Sequence, residues 1–360
     1  MADVDSPSPP ASGIEGTDVV FRMPDPDHTF AAVGVRQMLG RADQPVDLAS
    51  VGGGWERRLP QPPVQRIQYL FEITDADGDT TTVVDPGNPA RVGGPFGEHS
   101  VLELPGYVAP SWVADVPVEG TVESLPVMGT PVGDVGVQVW SPTGSAAHQP
   151  LPLLVAHDGP ELVAYAGLTH FVGVLVATGA LPPLRVALLA PGRRNDWYSA
   201  NDDYAETLTR QVVPAVHDGW TTTRGTVLMG TSLGALAALH AEWRHPGTFA
   251  GLFLQSGSFF TAATDPQERD FEQFDRVTAF VGEVLGADAA PSRPAIGMTA
   301  GATEENVHNN RVLADRLRAL DYDVSYGETP DVHNFTSWRD ALDPHLGTLL
   351  RRVWEVADGA

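Results

Sequence analysis

The sequence predicts an α/β protein, a mainly parallel sheet flanked by helices, preceded by a small β-sandwich. Three observations point to it. From Pro117 onward, short runs that are apolar throughout alternate with helical patterns, as strands covered on both faces do. From Trp55 to about residue 115 the texture differs: short alternating segments are separated by Gly-, Pro- and Asn-rich turns. The 360 residues leave room for one large α/β core of roughly 200 residues or more and a smaller one beside it.

In chain order, residues 1–16 read as a disordered tail, acidic and Pro/Ser-rich through Pro10. A helical pattern is expected from Phe30 to Leu39, ended by Gly40. The run from Arg66 to Thr74 alternates as a strand, turns at Asp75–Asp79, and returns through Thr80–Val84. These segments define a sandwich domain over 17–116, and a catalytic domain follows over 117–360. Its strands are expected within the segments Val135–Pro142, Pro152–Gly159, Arg185–Gly192, Thr226–Met229, Phe249–Phe259, Pro294–Glu304 and Asp323–Asn334, several of which end in polar loops. Helical spacing runs from Tyr204 to His217, after Ser232, and around Asn310 to Leu320.

Composition excludes several functions. No stretch approaches the roughly eighteen apolar residues of a membrane span. The first residues show no basic segment followed by an apolar run, which points to the cytoplasm. With no cysteine there are no disulfides, no thiol nucleophile and no cysteine-bound zinc, and the histidines lack an H-E-x-x-H pattern. No metal or cofactor is therefore expected. The formal charge is −24, and all 22 basic residues are arginines, so nucleic acid is not an expected partner.

The segment that carries chemistry is Gly230-Thr231-Ser232-Leu233-Gly234, a G-x-S-x-G between an apolar strand and an alanine-rich helix. On so sharp a turn, side chains two before and two after the serine would collide, hence glycine at both places. Ser232 then stands at a helix N-terminus as a nucleophile, and the Leu233 N–H is the expected first donor to an oxyanion. This is the elbow of the α/β-hydrolase fold. A serine hydroxyl needs an imidazole in reach and a carboxylate to orient it, in the order Ser, acid, His. Of the histidines after Ser232, His333 lies in a loop directly after a strand, where such a base belongs. Glu304, just past a late strand, is the preferred acid over Glu305, with Asp331 third.

With these residues assembled, the chain resembles the enterochelin (enterobactin) esterase family, within the esterase-D-like α/β-hydrolases, over most of residues 50–350. The resemblance is carried by Leu154–Gly159, by the Arg194–Asn201 stretch (R-x-x-E-Y-x-x-N in the family), by the elbow, by His245–Phe259, by Ala300–Asn310 and by Val332–Leu342. The segments Phe71–Pro89 and His99–Gly106 are similar to that family's own sandwich domain. Trp197 stands where the family often has Glu, and Val332 and Asn334 replace the Gly and Asp flanking its histidine. The resemblance implies a Ser232–Glu304–His333 triad. It also implies an oxyanion side formed by His157–Glu161, where Pro160 has no N–H and the second donor is Gly159 or Glu161.

The implied reaction is hydrolysis of the trilactone backbone of a ferric tris-catecholate siderophore, releasing iron in the cytoplasm. An anionic substrate of this kind calls for local arginines. Arg193 and Arg194 are the first candidates, with Arg57 and Arg58 closing over the site and Trp197 and Tyr198 stacking on catechol rings. Two other readings stay open: a general carboxylesterase or acyltransferase on small, sugar or lipid esters, and a non-catalytic binding protein.

Overall fold

The computed structural model describes residues 11–37, 39, 45–114, 117–223 and 225–355. The chain forms two compact units: Met1–Val108 with Ala302–Glu305 and Pro330–Val332, and a larger one formed by the remainder.

The smaller unit contains two antiparallel sheets. One takes strands β1 (Gly13–Glu15), β2 (Asp18–Pro24), β6 (Gly54–Pro60) and β5 (Ala49–Val51) in the order β1-β2-β6-β5. The other takes β3 (Phe30–Gln37), β4 (Val46–Asp47), β7 (Arg66–Asp75), β8 (Thr80–Val83), β9 (Arg91–Gly94) and β10 (Gly97–Glu103), with β7 between β3 and β10. Ile67, Tyr69, Phe71 and Ile73 alternate along β7 and are all buried, which is why this run becomes a strand with one face on a core. Phe21 meets Tyr69 edge to face at 4.9 Å, and the Tyr69 hydroxyl donates to Asp85 at 2.6 Å, so the ring's polar end is satisfied.

Two expectations are corrected here. Phe30–Leu39 is not a helix: β3 pairs with β7 in register Val33↔Ile73 and Val35↔Phe71. Its buried Val33 and Val35 follow a period of two, and pairing with a strong neighbouring strand overrides the weak helical spacing. Nor is all of 1–16 a tail, because Gly13–Glu15 pairs with β2; residues 1–10 and Gly40 lie outside the described residues.

The larger unit is built on an eight-stranded sheet of β11 (Gly120–Ser124), β14 (Val137–Pro142), β16 (Arg185–Leu189), β15 (Leu153–Ala156), β17 (Val227–Thr231), β18 (Gly251–Gln255), β19 (Ala295–Gly301) and β20 (Val324–Thr329), in that order; β12 (Val127–Thr130) and β13 (Gly133–Val135) form a separate hairpin. The first two strands are antiparallel to their neighbours; from β16 to β20 every pair is parallel. Every residue of β15 to β18 is buried, as helices on both faces require. Those helices are α1 (Gly159–Ala166), α2 (Leu168–Ala177), α3 (Arg194–Trp197), α4 (Asp202–Thr207), α5 (Val213–Gly219), α6 (Leu233–Arg244), α7 (Phe274–Gly286), α8 (Val307–Ala319), α9 (Phe335–Asp340) and α10 (Gly347–Val353). A π turn at Leu208–Val212 joins α4 to α5 just before Pro214, whose missing N–H breaks the regular ladder.

The chain passes from β15 to β16 on one side and then to β17 on the other. The carboxyl ends of β15 and β17 are therefore neighbours at the point where strand order reverses, the place where open parallel sheets form their sites. Among the described residues no single helix is long and apolar enough to cross a membrane.

Candidate active site

Ser232 follows β17 directly and precedes α6, with φ 55° and ψ −123°. A non-glycine residue there is strained by about 1–3 kcal/mol, and the surroundings hold it. Its N–H donates to the Gln255 carbonyl at 2.9 Å, and its carbonyl accepts from the Ala235 and Ser258 N–H groups at 3.1 and 3.2 Å. A Cβ on Gly230 would lie 2.2 Å from the Gly234 carbonyl carbon, so the strand can turn this tightly into α6 only without one.

His333 Nε2 lies 3.1 Å from Ser232 Oγ, although the two residues are 101 positions apart. The imidazole meets the buried Trp338 ring edge to face at 5.1 Å, and Trp338 Nε1 donates to Ser256 Oγ at 3.0 Å. Asn334 caps α9 by accepting from the Ser337 N–H at 2.8 Å. An asparagine after the histidine therefore starts the following helix as well as an aspartate would. A second hydroxyl, Ser258 Oγ, stands 3.2 Å from Ser232 Oγ. Asn310, fully buried on α8, fixes its backbone from behind: Oδ1 accepts from the Gly257 N–H at 3.0 Å, and Nδ2 donates to the Gly257 carbonyl at 3.0 Å. Sequence reasoning assigns no role to Ser258, Asn310 or Trp338: each lies in a segment that carries the family resemblance, but only tertiary contacts bring its side chain to the site.

The three carboxylates differ. Glu304 is 4% exposed, on the loop after β19, whereas its neighbour Glu305 is exposed. Asp331 is committed elsewhere. It forms a buried ion pair with Arg66 Nη2 at 2.5 Å, and its Oδ1 accepts from the Val332 N–H at 2.8 Å.

The segment expected on the oxyanion side follows β15. The His157 N–H donates to the Met229 carbonyl at 3.0 Å, and a Cβ on Gly234 would stand 3.1 Å from His157 Cβ and 3.4 Å from Asp158 Oδ2. The first turn of α1, with Gly159 and Glu161, therefore starts beside the elbow. Its early N–H groups have no partner within the helix, and neither does that of Leu233 at the start of α6. A serine hydroxyl with an imidazole in reach, beside two helix N-termini, is an arrangement for acyl transfer.

The sequence matches the esterase family over residues 130–349. The chain belongs to that family. This esterase is a carboxylic-ester hydrolase, and solved structures share its fold along nearly the whole chain. The enterochelin esterase of Shigella flexneri aligns with a TM-score of 0.75 at 21% identity, covering 97% of each chain. The ferric enterobactin esterase of Salmonella typhimurium gives 0.75 at 21%, covering 94% of this chain and 93% of that one. The Shigella flexneri enterobactin esterase solved in the presence of enterobactin gives 0.70 at 20%, with the same coverage. No curated protein sequence matches the esterase.

The expected substrate contacts are redrawn by the structure. Trp197 is 3% exposed and stacks on Tyr204 at 5.5 Å, and Tyr198 is fully buried, so neither ring is presented to a ligand; an indole in this position is core. Arg194 gives its guanidinium to Asp158, with Nε at 2.9 and 3.1 Å from the two carboxylate oxygens and Nη2 at 2.9 Å, so its charge is already matched. Arg193 is 67% exposed and only loosely paired with Asp196 at 3.6 Å. Arg58 pairs with Glu15 and Glu56, and Arg57, next to it on β6, is exposed.

Proposed function

We propose that this esterase is a serine hydrolase of the lactone bonds in a catecholate siderophore, using Ser232 as nucleophile, His333 as general base and Glu304 as the carboxylate behind it. The observation that carries the reading is the 3.1 Å approach of His333 Nε2 to Ser232 Oγ at a strained elbow. Burial favours Glu304 over the exposed Glu305, and the Arg66 ion pair takes Asp331 out of contention. In this scheme Ser232 Oγ attacks a lactone carbonyl while His333 takes its proton. The Leu233 N–H, with Gly159 or Glu161, receives the negative oxygen. The proton passes to the departing seryl oxygen, and water then cleaves the acyl-enzyme by the same route.

The siderophore as substrate is supported by the whole-chain likeness to enterobactin esterases, sandwich-type unit included, and iron release in the cytoplasm belongs to the same proposal. A second reading, a carboxylesterase for neutral esters, is favoured by the charge of −24 and by the engagement of Arg194 with Asp158. Chromatography decides between them. The protein is incubated with a ferric tris-catecholate trilactone and with an aryl ester, beside Ser232→Ala. Ser232-dependent release of linear catecholyl-serine fragments is expected, with a loss of several orders of magnitude in the variant. Cleavage of the aryl ester alone would leave the esterase and remove the siderophore; full turnover by Ser232→Ala would remove the serine mechanism.

A further inference from the structure

Asp158 occupies the N-cap of α1 in a left-handed conformation, φ 50° and ψ 36°. An N-cap aspartate ordinarily accepts from the N–H groups of the second or third helical residue. Here those are Pro160, which has none, and Glu161. Yet Asp158 makes no capping bond; both its oxygens are taken by Arg194. Asp158 is buried, and its Oδ2 stands next to Gly234, two residues beyond the nucleophile. The arrangement is braced: the Asp158 N–H donates to Tyr198 Oη at 3.3 Å, Arg194 lies over the Tyr198 ring, and α3 is anchored by buried Trp197.

Resting on the serine mechanism above, we propose that Arg194 is a positioning residue for the oxyanion turn. It holds the Asp158 carboxylate away from the first N–H groups of α1, so that Gly159 and Glu161 remain available to the negative oxygen of the tetrahedral intermediate. It also neutralises an anion that would otherwise stand beside that oxygen. Without Arg194 the carboxylate turns to cap Glu161, occupies the donor and repels the intermediate. The effect falls on the chemical step whatever the substrate's charge, which separates this role from binding an anionic substrate.

The test uses wild type, Arg194→Met, Arg194→Lys and the double variant Arg194→Met/Asp158→Asn on a neutral aryl ester and on the ferric trilactone, with thermal melts of each. Arg194→Met is expected to lower kcat about 100-fold on both, the scale of losing one oxyanion donor, with KM for the neutral ester within about 3-fold. Arg194→Lys falls between. The double variant, folded and with no buried charge left unpaired, is expected to recover about 10-fold, because a neutral amide cannot oppose the oxyanion. A double variant as slow as Arg194→Met overturns the proposal. So does a loss confined to KM for the trilactone, which would make Arg194 a substrate contact. Equal activity of Ser232→Ala and wild type would sink the underlying serine mechanism instead, and is read separately.

Discussion

In the proposed triad, Ser232 and His333 are distinguished by backbone position and the carboxylate by its environment. Two adjacent glutamates follow β19, and only their burial distinguishes them. Glu304→Gln is expected to lower kcat on an aryl ester by about 100-fold or more, since an amide cannot stabilise the imidazolium; Glu305→Gln should stay within about 3-fold. Steady-state kinetics of the pair checks this, and the reverse ranking would move the acid by one residue. The approach of His333 to Ser232 is legible in the sequence because each has a local signature, a glycine-framed elbow and a loop histidine after a strand. The roles of Arg194 and Trp197 are not, because a motif position says nothing of which way a side chain turns. An arginine beside a predicted site looks like a ligand contact until its partner, 36 residues away in the chain, is known.

At the scale of elements, β15, β17, β18 and β19 are mostly apolar, with Thr231, Gln255 and Thr299 the only polar residues among them, so composition points to buried strands and a parallel arrangement. Helix α2 escapes the same approach: it is apolar on nearly every side, and no stripe marks it. β3 is misread because its few apolar residues fit two periods and only pairing with β7 selects one. Helix α8 does more than cover the sheet. Asn310 supplies hydrogen bonds to both backbone groups of Gly257, beside the Ser258 hydroxyl. Asn310→Ala leaves the buried Gly257 N–H without its partner, while the Gly257 carbonyl still accepts from the Phe259 N–H at 2.9 Å, and a destabilisation of about 1–3 kcal/mol is expected. Urea denaturation at pH 7.5 measures it; a change below about 0.5 kcal/mol would show that the loop holds itself.

For the whole molecule, the buried histidines set a limit on acid tolerance. Burial lowers the His157 pKa from 6.5 to about 3, with the Arg194 charge acting in the same direction. Burial likewise lowers His240 to about 4, with Arg244 adding to the effect. The unfolded chain takes up these protons near pH 6.5 and the folded one only far below, so the unfolded state binds more protons throughout that window. Stability from these groups is fully present above pH 6.5 and is lost as pH falls toward 3, by roughly 5 kcal/mol for His157 alone. Urea midpoints between pH 7.5 and 4.5 should fall accordingly, and His157→Phe, which keeps a ring and cannot take a proton, should flatten the slope. An unchanged slope would place the acid sensitivity in other groups. The elbow bears on stability in the opposite sense. At φ 55° and ψ −123° glycine sits more comfortably than serine, so the protein keeps a less stable residue at the position of the proposed nucleophile. On the proposed mechanism, selection for hydrolysis is what would hold serine there. A lineage relieved of that selection would gain by drifting to glycine at 232 while keeping the rest of the turn, and such a sequence would mark a descendant that kept this fold and lost its chemistry.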